Sequence, residues 1–184
     1  MVRAHSTNVA LVGYRGTGKS TVARLLALRL GWDWVDADVE IELRAAKSIA
    51  AMFADEGETA FRDLESVVVA DLTRRKQTVI ALGGGAVLRE ENRSAICECF
   101  VVWLRASVDA IVARLDADAT TAARRPNLTI AGGRAEVAAL LAEREPIYRR
   151  LARAVVDTDD KTPAEVAEAI YAQLPPTTGP TETA

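Results

Sequence analysis

Eight residues near the start of the chain restrict what it can become. Gly13-Tyr14-Arg15-Gly16-Thr17-Gly18-Lys19-Ser20 fits the pattern G-x-x-x-x-G-K-[ST]. The apolar run Val9 to Val12 precedes it, and the alanine- and leucine-rich stretch Lys19 to Leu30 follows, ending at Gly31. A strand, a glycine turn and a helix in that order build an anion nest. The glycines permit a tight turn whose backbone N–H groups face inward, so Gly16, Thr17 and Gly18 are expected to cradle phosphate. Lys19 would reach the β- and γ-phosphates, Ser20 would bind Mg²⁺ through its hydroxyl, and Thr21 stands near the α-phosphate. Lysine is scarce here, with four against nineteen arginines, which makes a chance lysine at this position less expected. The pattern predicts a purine nucleoside triphosphate with Mg²⁺.

The rest of the chain repeats the same rhythm. Apolar, β-branched runs at Trp34 to Val35, Thr78 to Leu82, Phe100 to Leu104 and Ala154 to Asp157 alternate with helical stretches. These are Val39 to Lys47, Ser48 to Phe53 closing near Gly57, Thr59 to Arg75, Val108 to Leu115 capped by Ser107, and a helix from Pro163 to about Leu174. Thr162 and Glu165 form a capping box at the start of the last one. Runs apolar on both faces suit parallel strands covered on both sides, which gives an α/β fold with a central parallel sheet. At 184 residues, 49% apolar and 27% charged, one domain over 1–175 is expected. Asp116 to Gly133 breaks the rhythm and reads as a long loop of the lid type, and 176–184 reads as a disordered tail.

Composition excludes other classes. The net charge of −3 gives no basic field for nucleic acid. No apolar run approaches the roughly 20 residues of a membrane span, and Met1 to Asn8 carries no export signal. Cys97 and Cys99 read as reduced thiols, which suggests the cytoplasm. The only histidine is His5, in the polar N-terminal segment, so acid–base work falls to carboxylates.

Three features bear on the phosphoryl acceptor. In Asp36-Ala37-Asp38 one carboxylate could hold Mg²⁺ through water and the other accept a proton from an attacking hydroxyl; the alternative is a pair of helix-capping acids. Gly83-Gly84-Gly85 follows the third strand and suits close approach of a ligand to the backbone, or else a flexible loop. Arg62 and Glu65 share a helix face, so a held arginine could grip a substrate carboxylate, or the two form a surface ion pair. The third strand ends in glycine rather than an acid, which counts against a mechanical NTPase.

Taken in order, GYRGTGKST, DAD, SIAAMFADEGETAFRDLE, the triple glycine, Arg125-Pro126, and Arg144 with Tyr148 in REPIYRRLA resemble the shikimate kinase family across Asn8 to Leu174. The resemblance implies a three-layer P-loop NTPase fold like that of nucleoside monophosphate kinases, with a five-stranded parallel sheet of order 2-3-1-4-5 and a mobile lid. It implies transfer of the ATP γ-phosphate to the 3-hydroxyl of shikimate, the fifth step toward chorismate, by a cytoplasmic monomer. By the same resemblance Asp38 holds the attacked hydroxyl and is the candidate base, and Asp36 partners Mg²⁺ beside Ser20. Arg62 and Arg144 clamp the acceptor carboxylate, and Gly84 and Gly85 meet its ring. Phe53, Phe61 and Glu65 wall the pocket, within a substrate-binding segment of about 36–65. Arg125 is the lid arginine for the phosphates, Arg114 stacks on adenine, and Pro163 belongs to the adenine loop. Three departures concern the lid: it reads Arg125-Pro126-Asn127-Leu128 where the family has Arg-Pro-Leu-Leu, the segment between Arg114 and Arg125 is slightly long, and Arg124 stands beside Arg125. A gluconate kinase of similar fold and a catalytically idle nucleotide-binding protein are the rival readings.

Overall fold

The three central strands are short, largely apolar and buried, so they are stable only when covered on both faces, while the two edge strands are partly exposed. The computed structural model, which describes residues 8–117 and 133–175, meets that demand with a parallel sheet between two helical layers. In chain order the elements are β1 (Asn8–Val12), α1 (Lys19–Leu30), β2 (Asp33–Asp36), α2 (Ala37–Ala45) and α3 (Ile49–Thr73). Then come β3 (Thr78–Ala81), a 3₁₀ turn (Ala86–Leu88), α4 (Glu90–Ile96), β4 (Phe100–Arg105), α5 (Val108–Ala117), α6 (Gly133–Leu151), β5 (Ala154–Asp157) and α7 (Pro163–Tyr171). The sheet order is β2-β3-β1-β4-β5, all neighbours parallel, as expected.

Alternation along the strands sorts the core. Val9 and Leu11 of β1 point to one side, where α1 and α7 supply Val22, Leu26, Val166 and Ile170. Ala10 and Val12 point to the other, with Ile41 of α2, Val68 and Leu72 of α3, and Tyr148 of α6. A smaller cluster of Tyr14, Ala106, Ile111 and Val137 joins the loop after β1 to α5 and α6. Cys97 is exposed and Cys99 buried, both as free thiols, and burial pushes the Cys99 thiol up to about 12. No helix among the described residues is long and apolar enough to cross a membrane.

Several boundaries differ from the sequence reading. The two helices expected on either side of Gly57 form one span, α3, interrupted at Gly57 (φ 81°, ψ 174°). The helix expected from Val39 starts at Ala37, because the Asp36 carboxylate caps it by accepting from the amides of Asp38 (2.9 Å) and Val39 (3.4 Å). Asp38 therefore sits in the first turn of α2. α5 runs on to Ala117 and α6 opens at Gly133, so both ends of the stretch read as a loop are helical. Its interior, with Arg124, Arg125, Pro126, Asn127 and Leu128, lies outside the described residues, as do His5 and the tail 176–184. α4 was not anticipated, being short and polar (EENRSAI), and nor was the span of α6, which carries Pro146 in its interior. The final helix ends at Tyr171, short of Leu174.

The Thr162 capping box is present. The Thr162 hydroxyl accepts from the Glu165 amide (3.3 Å), and the Thr162 amide donates to the Glu165 carboxylate (2.7 Å). Thr162→Ala should lower unfolding free energy by about 1 kcal/mol, the usual cost of a lost N-cap, read as a shift in urea midpoint without change of slope.

Candidate active site

The phosphate loop lies where β1 gives way to α1, at the carboxyl edge of the sheet and at the point where connections leave for both sides. Gly13, Gly16 and Gly18 all have positive φ (143°, 80° and 86°). At Gly13 a side chain is also barred by space, since a Cβ would lie 2.5 Å from the Leu104 carbonyl oxygen of β4. The Thr17 hydroxyl donates to the Tyr14 carbonyl (2.8 Å) and fixes the turn. No side chain caps α1, so its first amides keep their capacity for an anion. The Lys19 ammonium donates to the carbonyls of Gly13 (2.8 Å) and Tyr14 (2.7 Å). Ser20 donates a short hydrogen bond to Asp36, which brings a hydroxyl and a carboxylate to one point beside the loop. Amides, an ammonium and this hydroxyl–carboxylate pair fit a nucleoside triphosphate and its Mg²⁺.

A cavity of about 310 Å³ opens from the loop, and Lys19, Ser20, Thr21, Asp36, Asp38 and Gly84 are on its wall. The far wall is the turn after β3. A Cβ at Gly83 would lie 2.8 Å from Asp38 Oδ1, one at Gly84 3.7 Å from Arg144 Nη1, and one at Gly85 2.7 Å from both Nη atoms of Arg62. Three successive glycines thus face three charged side chains. The alternative reading as a merely flexible loop does not hold, because Tyr148 of α6 donates to the Gly84 carbonyl at 2.6 Å and anchors the turn.

The surface-pair reading of Arg62 and Glu65 also fails. Glu65 is buried, and its carboxylate accepts from Arg62 Nη1 at 2.7 Å; Glu58 accepts from Nε and Nη2 at 3.2 and 3.3 Å. Burial pushes the Glu65 carboxyl above its ordinary value, with Arg62 pulling the other way. Arg144 is buried, and its Nε has no hydrogen-bond partner among the described residues. Burial likewise raises the Tyr148 hydroxyl to about 12, so it stays a donor. The Phe53 and Phe61 rings pack at 4.7 Å between centroids beside this group.

On the nucleotide side, Arg114 donates to the Thr158 hydroxyl (2.9 Å) and carbonyl (2.6 Å) and to the Gly16 carbonyl (3.4 Å). It therefore ties α5 to the phosphate loop and to the end of β5. Pro163 is exposed at the first position of α7 and is not on the cavity wall. The sequence reading missed Arg15, which lines the cavity, and the buried Glu136 that pairs with it. Arg15 occupies a variable position of the loop pattern, and Glu136 reads as an ordinary acid in a first helical turn, so neither carried a signal.

A phosphate loop at the head of a five-stranded parallel sheet, opening onto a cavity with Asp36 and Asp38 on its wall and a glycine turn backed by Arg62 and Arg144 beside it, defines a P-loop kinase of small molecules. A family model described as shikimate kinase matches residues 15–175. A shikimate kinase of Rhodopirellula baltica is 47% identical over 170 residues, covering 92% of this chain and 91% of its own length. One of Thermobifida fusca is 44% identical over 165 residues, covering 90% and 93%. A solved structure of shikimate kinase from Acinetobacter baumannii in complex with shikimate superposes with a TM-score of 0.84 at 36% identity, covering 90% of each chain. The chain belongs to the shikimate kinase family, and it is an ATP-dependent phosphotransferase that uses Mg²⁺.

Two outcomes follow from the pocket. Gly85→Ala should push the Arg62 guanidinium aside and raise the acceptor KM about tenfold, equivalent to about 1.4 kcal/mol, with the KM for ATP unchanged in steady-state assays. Because native Glu65 holds its proton more tightly than the unfolded chain, its contribution to stability falls as pH rises from its ordinary value of 4.5 through the raised native one. Urea unfolding across that window should show a flatter pH profile for Glu65→Gln than for wild type.

Proposed function

We propose that this chain transfers the γ-phosphate of ATP to the 3-hydroxyl of shikimate, giving shikimate 3-phosphate and ADP. The observation that carries the reading is the triple glycine, at which Gly83, Gly84 and Gly85 lie in turn against Asp38, Arg144 and Arg62. Shikimate is a small monoanion rich in hydroxyls. Two guanidiniums suit its carboxylate by two-pronged bonds, and the carboxylate of Asp38 suits its hydroxyls.

In this reading Asp38 orients the attacking hydroxyl and takes its proton as the bond to phosphorus forms. Lys19 leaves the loop carbonyls for the β- and γ-phosphate oxygens and stabilises the charge that develops there. Ser20 and Asp36 would hold Mg²⁺, which when bound would supply charge neutralisation to the same oxygens. Glu65 keeps Arg62 extended toward the pocket, and the Phe53 and Phe61 rings exclude water from it. Arg114 lies beside the adenine, with Pro163 at the start of α7 completing that side. We assign the second phosphate contact to Arg125, on its place before Pro126. We further propose a cytoplasmic monomer without nucleic-acid or membrane partners. The net charge of −3 and two free thiols support that reading, and a single kinase domain over 1–175 accords with the family match.

A gluconokinase from Sinorhizobium meliloti shares the fold, with a TM-score of 0.56 at 17% identity, and gluconate is also a hydroxylated monoanion. ADP release with MgATP and shikimate, gluconate or no acceptor separates the readings. Shikimate-dependent release is expected; release with gluconate alone would overturn the acceptor, and release indifferent to acceptor would overturn the kinase pocket. Lys19→Met should abolish turnover in a folded protein. Asp38→Asn should remove most of kcat, and Arg62→Ala should cost about 2–5 kcal/mol in acceptor recognition, the range for truncating one partner of a buried charge pair.

A further inference from the structure

A half-buried arginine and a buried glutamate close to the site have no part in that account. Arg15 is the third residue of the phosphate loop, and its Nη2 donates to Glu136 Oε1 at 3.3 Å. The side chains are 13% and 1% exposed, so this pair is largely out of water, where it is worth more than a surface pair and costs more to break. The residues are 121 apart in sequence. Glu136 is in the first turn of α6, and Arg144 is two turns further along the same helix. Tyr14, next to Arg15 in the loop, has the Arg15 guanidinium 5.9 Å and the Arg144 guanidinium 5.8 Å from its ring centroid. One helix therefore grips the nucleotide loop at its start, through Glu136, and the acceptor turn near its end, through Tyr148 and the Gly84 carbonyl. A Cβ at Gly84 would lie 3.4 Å from the Arg15 amide nitrogen, so the two gripped backbones also touch.

We propose that Glu136 is a positioning residue: through Arg15 it ties the phosphate loop to the helix that carries Arg144, so that an occupied nucleotide loop sets the acceptor clamp. The chemistry is that of a stiff connection. A buried carboxylate keeps its guanidinium partner because losing a hydrogen-bonded charge partner out of water is costly. Any shift of the loop on binding phosphate is then handed to α6 rather than absorbed by a side chain. The acceptor half of the inference rests on the proposed shikimate pocket; the nucleotide half does not.

The test uses the full chain, with Glu136→Gln, Arg15→Ala and the double variant. Shikimate affinity is measured with and without a non-hydrolysable MgATP analogue, alongside steady-state KM values. Glu136→Gln should raise the shikimate KM about fivefold, the low end of couplings between sites, and bring the two shikimate affinities together. Arg15→Ala should do the same, and the double variant should be no worse than either single one. A fall in thermal midpoint with KM and coupling unchanged would overturn the proposal, as would additive effects of the two substitutions. Arg15→Lys, which keeps the charge, should restore part of the coupling and serves if Arg15→Ala folds poorly. Hydrogen exchange supplies a readout independent of the acceptor. The analogue alone should slow exchange of α6 amides in wild type and not in Glu136→Gln. Equal protection in both proteins would sink the inference even if wild type proved to have a different acceptor.

Discussion

The close approach of Gly13 to β4 is the contact on which the site depends. No residue with a side chain fits there, since Leu104 already occupies the space. Because of it the loop leaves β1 pressed against the neighbouring strand and turns back over the end of the sheet. The first amides of α1 then point along the edge where β3, β1 and β4 all end. Asp36, one strand further out, reaches Ser20 because β2 pairs with β3 in a register that sets Asp36 beside Ala81. A slip of that register would turn every side chain of the strand to its other face, and hydroxyl and carboxylate would part. The geometry of the nucleotide end thus follows from strand pairing and one missing methyl group.

The acceptor end is built differently, from charges held in place by other charges. Glu65 is buried at a cost, and that cost is offset chiefly by Arg62 beside it, with Arg89 and Arg144 adding to the field. Arg144 has the Tyr14 ring and the Gly84 backbone as neighbours, and an Nε that no described residue satisfies. Such a pocket is stiff and already charged before anything enters, so little reorganisation remains for the moment of transfer. The backbone of the triple glycine is part of this stiffness, fixed by Tyr148 rather than left to swing.

Local signals were legible in the sequence wherever one segment carries the whole device. The loop pattern, the five strands, the sheet order that the resemblance implied and the Thr162 capping box are all in the structure. Asp36 was legible as either a cap or a metal-side acid; the structure shows the cap, made by one oxygen on α2, and has the other oxygen accept from Ser20. That double use moved the helix start to Ala37 and carried Asp38 into the helix. α6 was obscured by its glycine start and by Pro146, though a helix packed along its length tolerates one missing amide. Arg15 and Glu136 were illegible for another reason: nothing in either neighbourhood hints at a partner 121 residues away. Only folding brings them together.

The two carbonyls that hold Lys19 have a consequence for turnover. The ammonium rests on the chain's own oxygens, so a phosphate that takes it must displace them rather than meet a bare charge. Whatever those contacts are worth is subtracted from affinity for the incoming nucleotide. The same amount is returned when the spent nucleotide departs, because the lysine has somewhere to go. A catalyst that must release ADP on every cycle gains from a grip that is weakened in this way: the resting bonds act as a spring that helps to empty the site.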